Sequence, residues 1–206
     1  MSVSLSKGQK VSLSKERAGL TKIRAALGWD EAQPEKKSGG FLSSLFSAMS
    51  APTDIDCDAS AILLVGNKLR RDPEDVVYYG NLNHSSGAVN HMGDNLTGAG
   101  DGDCEVIEID LAKVPNLYTR IAIVVNIYNA VSRHQHFGMI KNAYIRLIDT
   151  SNNQEMCKYD LSDDYSGAYA VIVGEVYRDG AEWKFNAIGE GTKDHSLRAL
   201  LDKRFK

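Results

Sequence analysis

Alternation with period two runs through most of this chain. Val3/Leu5 and Val11/Leu13 flank Lys7-Gly8-Gln9-Lys10, which predicts a hairpin, and Ile23, Ala25, Leu27 and Trp29 share one side of a further strand. More strands are predicted over 59–65, 76–79, 106–111, 121–128, 143–148, 156–161, 170–177 and 182–188, with turn residues between nearly all of them. That spacing belongs to a two-sheet β-sandwich, so the expected fold class is mainly β. Residues Ile121 to Ile127 are apolar on both parities, as a central strand covered on two faces would be. Glu182-Trp183-Lys184-Phe185-Asn186 instead alternates like a strand with one wet face. Near the end the period changes: Leu197, Leu200, Leu201 and Phe205 fall at helical spacing and predict a short C-terminal helix capping the sandwich.

One stretch breaks the pattern. Residues 31–53 carry Pro34, Gly39, Gly40 and Pro52 and read as a long flexible or amphipathic insertion in an otherwise single domain spanning 1–206. Phe41, Leu42, Leu45, Phe46 and Met49 would share one face of a helix there, beside Lys36 and Lys37. That face has three possible covers: a membrane surface, a partner protein or the parent domain.

A length of 206 residues supports one sizeable core. The formal charge is only −3, yet residues 54–110 hold twelve Asp/Glu against three Lys/Arg, a local balance of −9. No Lys/Arg stripe is present, which argues against nucleic acid. The N-terminal stretch lacks the apolar core of a signal peptide, and no run reaches the ~20 apolar residues of a membrane span. The expected location is therefore the cytoplasm, with peripheral attachment at the inner membrane if residues 41–49 serve as an anchor. Cys57, Cys104 and Cys157 are odd in number and have no CxxC spacing, as reduced thiols do.

The acidic balance is concentrated in two clusters. Asp54-Ile55-Asp56-Cys57-Asp58 opens like an EF-hand loop, but Ala59 stands where that loop needs glycine and Val65 where it needs glutamate. In an extended chain, residues two apart point the same way, so Asp54, Asp56 and Asp58 present three carboxylates to one side just before a strand. Asp101, Asp103 and Glu105 repeat the arrangement before Val106, and Asp94 and Asn95 add oxygens across a glycine-rich loop. Carboxylates this crowded repel one another unless a hard divalent cation sits among them. Calcium takes six to eight oxygens at roughly 2.3–2.6 Å, and the oxygens here are enough for two ions with help from carbonyls and water. Magnesium, which prefers a small octahedral site, is the alternative. Turn-forming Asp, Asn and Gly in solvated loops are the bland one.

The same stretches carry a family resemblance. Ser4-Leu5-Ser6-Lys7-Gly8, Gly28-Trp29-Asp30, Asp56 to Ala61, Gly93 to Asp103, Phe137-Gly138 with Asn142-Ala143, and Gly174 to Arg178 make the chain outside 31–53 resemble the TerD family of tellurium-resistance and stress-response proteins. The resemblance implies a calcium-binding β-sandwich without known enzymatic turnover, working with protein partners of the bacterial ter stress system. It carries ligand roles onto Asp56, Asp58, Asp94, Asn95, Asp101, Asp103 and Glu105, and adds Asp30. Two departures stand out: Cys104 sits where members commonly carry an acid, and the 31–53 insertion is longer than the usual linker.

Other chemistries have less support. A thiol-based redox or detoxification role on tellurite through Cys57 and Cys104 is the main alternative, but neighbouring carboxylates raise a thiol's pKa and deplete its thiolate. His134-Gln135-His136 has the form of a metal pair without an evident third ligand. No serine sits in a GxSxG elbow, and Gly98-Ala99-Gly100-Asp101-Gly102 lacks the lysine a phosphate loop needs. No catalytic centre is expected.

Overall fold

The computed structural model describes residues 2–15, 19–31, 55–94 and 102–206, the side chains of Glu31 and Asp94 aside. The insertion from residue 32 to 53, the carboxylates of Asp54 and Asp101, and Asn95 lie outside the described residues.

Among the described residues, twelve strands fall into two six-stranded sheets, the two-sheet sandwich that the alternation predicts. The first sheet contains β1 (Val3–Leu5), β3 (Lys22–Glu31), β6 (Val89–Asp94), β7 (Glu105–Asp110), β9 (Ile140–Asp149) and β10 (Gln154–Asp160), ordered β1-β10-β9-β3-β7-β6. The second contains β2 (Lys10–Ser12), β4 (Cys57–Leu64), β5 (Val76–Val77), β8 (Arg120–Ile127), β11 (Ala170–Asp179) and β12 (Glu182–Thr192), ordered β2-β12-β11-β8-β4-β5. Between them lies one apolar layer. Ile23, Ala25 and Leu27 of β3, Ile107 and Ile109 of β7, Ile121 and Ile123 of β8, and Phe185 of β12 are all essentially inaccessible to water.

The predicted N-terminal hairpin is not formed. β1 pairs in parallel with β10, through Val3 opposite Cys157 and Leu5 opposite Tyr159, whereas β2 pairs antiparallel with β12 in the other sheet. The turn between them, closed by Gln9 N–H donating to the Ser6 carbonyl (3.0 Å), carries the chain from one sheet to the other. Leu5 and Leu13 thus enter the core from opposite sides, which alternation alone does not distinguish from a hairpin.

β8 is apolar on both parities because it is covered twice. Its outer face meets the helix α1 (Leu197–Arg204), with Leu200, Leu201 and Phe205 packed on Ile62, Leu64, Ala122, Val124, Ala170 and Ile172. Ser196 caps α1 by accepting from Ala199 N–H at 3.1 Å, and Lys203 near its C-terminus pairs with Asp194 at 2.7 Å. No helix among the described residues is long and apolar enough to cross a membrane.

Strand β6 was not predicted from the sequence. Val89 and His91 face inward and Met92 outward, so a histidine occupies a core position and hides the alternation. Because Leu200 is fully buried against the outer face of the second sheet, Leu200→Ala is expected to lower unfolding free energy by about 2–5 kcal/mol. Urea titration followed by tryptophan fluorescence measures the loss.

Candidate functional site

Both acidic clusters enter strands at the same end of the sandwich. Asp56 and Asp58 stand at the start of β4, and Asp103 and Glu105 stand at the start of β7 in the other sheet. The two starts are tied by one buried contact across the core. The Glu105 carboxylate, 4% exposed, accepts from the backbone N–H of Ala59 at 2.7 Å and lies 3.1 Å from Nε2 of His91. His91 Nδ1 accepts from Gly93 N–H at 3.0 Å, so the ring's hydrogen sits on Nε2 and is donated to Glu105. Gly93 and Gly102, both at positive φ (79° and 82°), bracket the glycine-rich loop at its two ends.

Carboxylate direction differs from residue to residue. Glu105 points inward, with Ile107 and Ile109. Asp56 and Asp58 lie on the outer face of the second sheet, on the same row as Ile62 and Leu64. Asp56 is exposed, with its Oδ2 3.9 Å from Arg133, and its carbonyl accepts from Tyr128 N–H at 2.7 Å. Asp58 is partly buried and pairs in register with Asn126 of β8.

Asp103 lies on the outer face of the first sheet, where Arg146 grips it with two donors: Nε to Oδ1 at 2.9 Å and Nη2 to Oδ2 at 2.7 Å. The Tyr144 hydroxyl donates to the same carboxylate at 2.9 Å. Burial, and then that bond, raise the Tyr144 pKa. Gly28 makes room for this cluster, since a Cβ there would stand 2.5 Å from the Tyr144 ring. Asp30, beyond a bulge in β3, accepts from Asn142 Nδ2 at 2.7 Å. Asp94 opposes Glu105 in the β6–β7 register.

Among the described residues, no group of three or more His, Cys, Asp or Glu converges tightly enough to hold a metal. The donors present are nevertheless of the kind a hard cation takes. They are carboxylate and carbonyl oxygens, with the buried Oδ1 of Asn126 beside Asp58 having no hydrogen-bond partner. Asn126, His91, Arg146 and Tyr144 were missed by sequence reasoning. For His91 the usable signal was its polar ring at a core parity two residues before Gly93.

The family model described as the TerD domain matches residues 1–203. The chain belongs to the TerD family. This TerD-family protein is 48% identical to stress response protein SCP2 of Bacillus subtilis over 203 residues, covering 98% of this chain and 99% of the relative. It is 42% identical to tellurium resistance protein TerD of Serratia marcescens, over 93% of this chain and 91% of that one. A crystal structure of a TerD homologue from Streptomyces coelicolor aligns with a TM-score of 0.61 at 18% identity, over 89% of this chain and 96% of that one, and shares the fold. The names of these relatives speak of stress and tellurium resistance and carry no enzymatic activity.

Other polar clusters in this TerD domain belong to turns and to the core. His136 caps the short 3₁₀ turn Phe137–Met139 by accepting from Gly138 N–H, and His134 adopts a left-handed backbone, as a polar loop would. Buried Asp75 and Tyr118 form a knot with the exposed Arg71, with Tyr118 Oη donating to Asp75 at 2.6 Å and Arg71 Nε at 3.0 Å. His84 stands 3.5 Å from Asp75 and 2.7 Å from Ser86 Oγ. Ser86 Oγ accepts from Ala88 N–H and its own N–H donates to the His84 ring, so it is fastened into a turn.

The three thiols are unpaired with one another. Burial first, then the carboxylates of Asp58, Glu105 and Asp56, push the Cys57 thiol well above the ordinary 9.0. Burial likewise raises Cys104, and pushes Cys157 up to about 12. At pH 8, alkylation of Cys57 and Cys157 by iodoacetamide is expected to run about tenfold or more slower than in denaturant, read by mass spectrometry. The sign for stability follows from the same shift. The unfolded chain loses the Cys157 proton first, so its contribution is complete below pH 9 and fades as pH rises toward 12.

Proposed function

We infer that this TerD-family protein is a calcium-binding, non-enzymatic stress-response module whose acidic strand entrances take two calcium ions and thereby present a face to a partner. The observation that carries this reading is the Glu105 contact with Ala59 N–H, which brings the starts of β4 and β7 to one end of the sandwich. The residues proposed to hold the ions are Asp56 and Asp58 from the first cluster, with Asp94, Asn95, Asp101 and Glu105 from the second. Asp103 and Asp30 enter the set on the family pattern, where the ion would share or displace their present contacts with Arg146 and Asn142.

Bound calcium would supply positive charge for these oxygens to coordinate, and no redox chemistry. The protein's own contribution is positional. His91 joins the residue-93 end of the loop to Glu105, and Glu105 joins β7 to β4, so tension at the loop is transmitted into both sheets. Two ions bring four positive charges to a segment whose balance is −9, which alters the surface that a partner meets. The partners proposed are proteins of the ter stress system, met in the cytoplasm, with tellurite resistance as the phenotype. A thiol-based role for Cys57 and Cys104 is disfavoured by their raised pKa values.

Calorimetric titration of the full chain with calcium is expected to saturate below about 1 mM, with magnesium weaker. Asp56→Ala and Asp101→Ala are each expected to weaken binding by about tenfold or more. Absence of saturable uptake, or both variants binding like wild type, would remove the reading.

A further inference from the structure

A cavity of about 330 Å³ opens on the outer face of the second sheet, at the same end as the acidic clusters and beneath the start of α1. Its size lies at the small end of ligand pockets, roughly 300–1,000 Å³. Asn126 and Asp58, register partners on β8 and β4, contribute its polar wall, and Tyr78, Tyr79 and Tyr128 contribute aromatic ones. Leu201 of α1 adds apolar surface.

Asn126 is 7% exposed, and its Oδ1 has no hydrogen-bond partner. Buried polar side chains almost always find partners, so this unmatched atom on the cavity wall calls for a group from outside the chain. Both Asn126 Oδ1 and the Asp58 carboxylate accept and cannot donate, which means that the missing group is a donor. Its charge follows from the surroundings. At the rim, Arg198 and Lys206 are matched by Asp72 and Asp202, so Asp58 is the carboxylate of the lining left to face a cation, beside His195 and the three tyrosines. The aromatic walls favour a cation too. The Tyr128 ring already holds the Arg133 guanidinium 5.6 Å from its centroid, 3.9 Å from Asp56. Tyr79, 58% exposed, meets the Tyr78 ring edge to face at 5.2 Å between centroids and keeps the rest of its ring open to the cavity.

We propose that this cavity is a binding site for a small organic cation bearing N–H donors, a primary ammonium or a guanidinium, held by Asn126 Oδ1 and Asp58 between the tyrosine rings. The inference goes beyond calcium binding and does not depend on it. Asp58 is shared with the proposed ion set, so calcium competes at that carboxylate, and the decisive titrations are made in chelator.

The probes are butylamine, putrescine, the blocked lysine Nα-acetyl-lysine methylamide, and tetramethylammonium, each titrated into the full chain with EGTA present and followed by NMR shifts or calorimetry. The primary amines are expected to bind saturably, about tenfold or more tighter than tetramethylammonium, which has charge but no N–H. Preference for putrescine assigns a free diamine as the source, and preference for blocked lysine assigns a basic side chain of a partner. Either pattern supports the site. Asn126→Ala is expected to lose about tenfold in affinity, Asn126→Asp to retain or gain it, and the exposed Tyr79→Ala to weaken binding while melting like wild type. Equal binding of tetramethylammonium, wild-type affinity in Asn126→Ala, or no saturation by any amine would overturn the proposal. Loss of amine binding with calcium uptake intact would overturn this inference alone, and the converse would overturn the calcium reading alone.

Discussion

One buried carboxylate organises the end of this protein that carries its chemistry. Glu105 sits in an apolar layer where an isolated charge is costly, and it is tolerated because Ala59 N–H and the Nε2–H of His91 are turned toward it. The first partner belongs to the opposite sheet and the second to the neighbouring strand. A single side chain therefore links the two sheets at this end and, through His91, ties β7 to the Gly93 end of β6. A glutamine at 105 could keep the shape yet would turn a charge-assisted contact into a neutral one.

The carboxylates around that tie are sorted by the faces they occupy. Glu105 faces the core, Asp103 the outer side of one sheet under the grip of Arg146, and Asp56 and Asp58 the outer side of the other. Alternation along a strand and the opposition of two sheets produce this distribution, because residues at equal parity on facing sheets point away from each other when they point outward. The second outer face has a separate character. Its rows are apolar under α1 and turn polar toward the acidic end at Ser60, Asp58 and Asn126, where the tyrosines form a cavity.

The strands were largely legible in the sequence because alternation is a local signal. β3, β7, β10 and β12 declare themselves through residues two apart, and the apolar run 121–125 correctly announced cover on both faces. β6 escaped because His91, a polar residue, takes a core position that only Glu105 makes acceptable. The acidic clusters were visible as charge density, yet Asp103 next to Arg146 was not, since the two are separated by 43 residues and meet only through β9 and β3 pairing.

By itself the sequence determined the sandwich class, most of the strands, the amphipathic closing helix and the membership in the TerD family, all of which rest on short-range patterns or contiguous motifs. Tertiary structure alone decided that β1 and β2 part into different sheets, that His91 serves Glu105, and that Asn126 meets Asp58 beside a tyrosine-walled cavity. The reason is physical. Periodicity records which side of a strand is buried, whereas the partner waiting on that side is chosen by sheet order and register, which no local window contains.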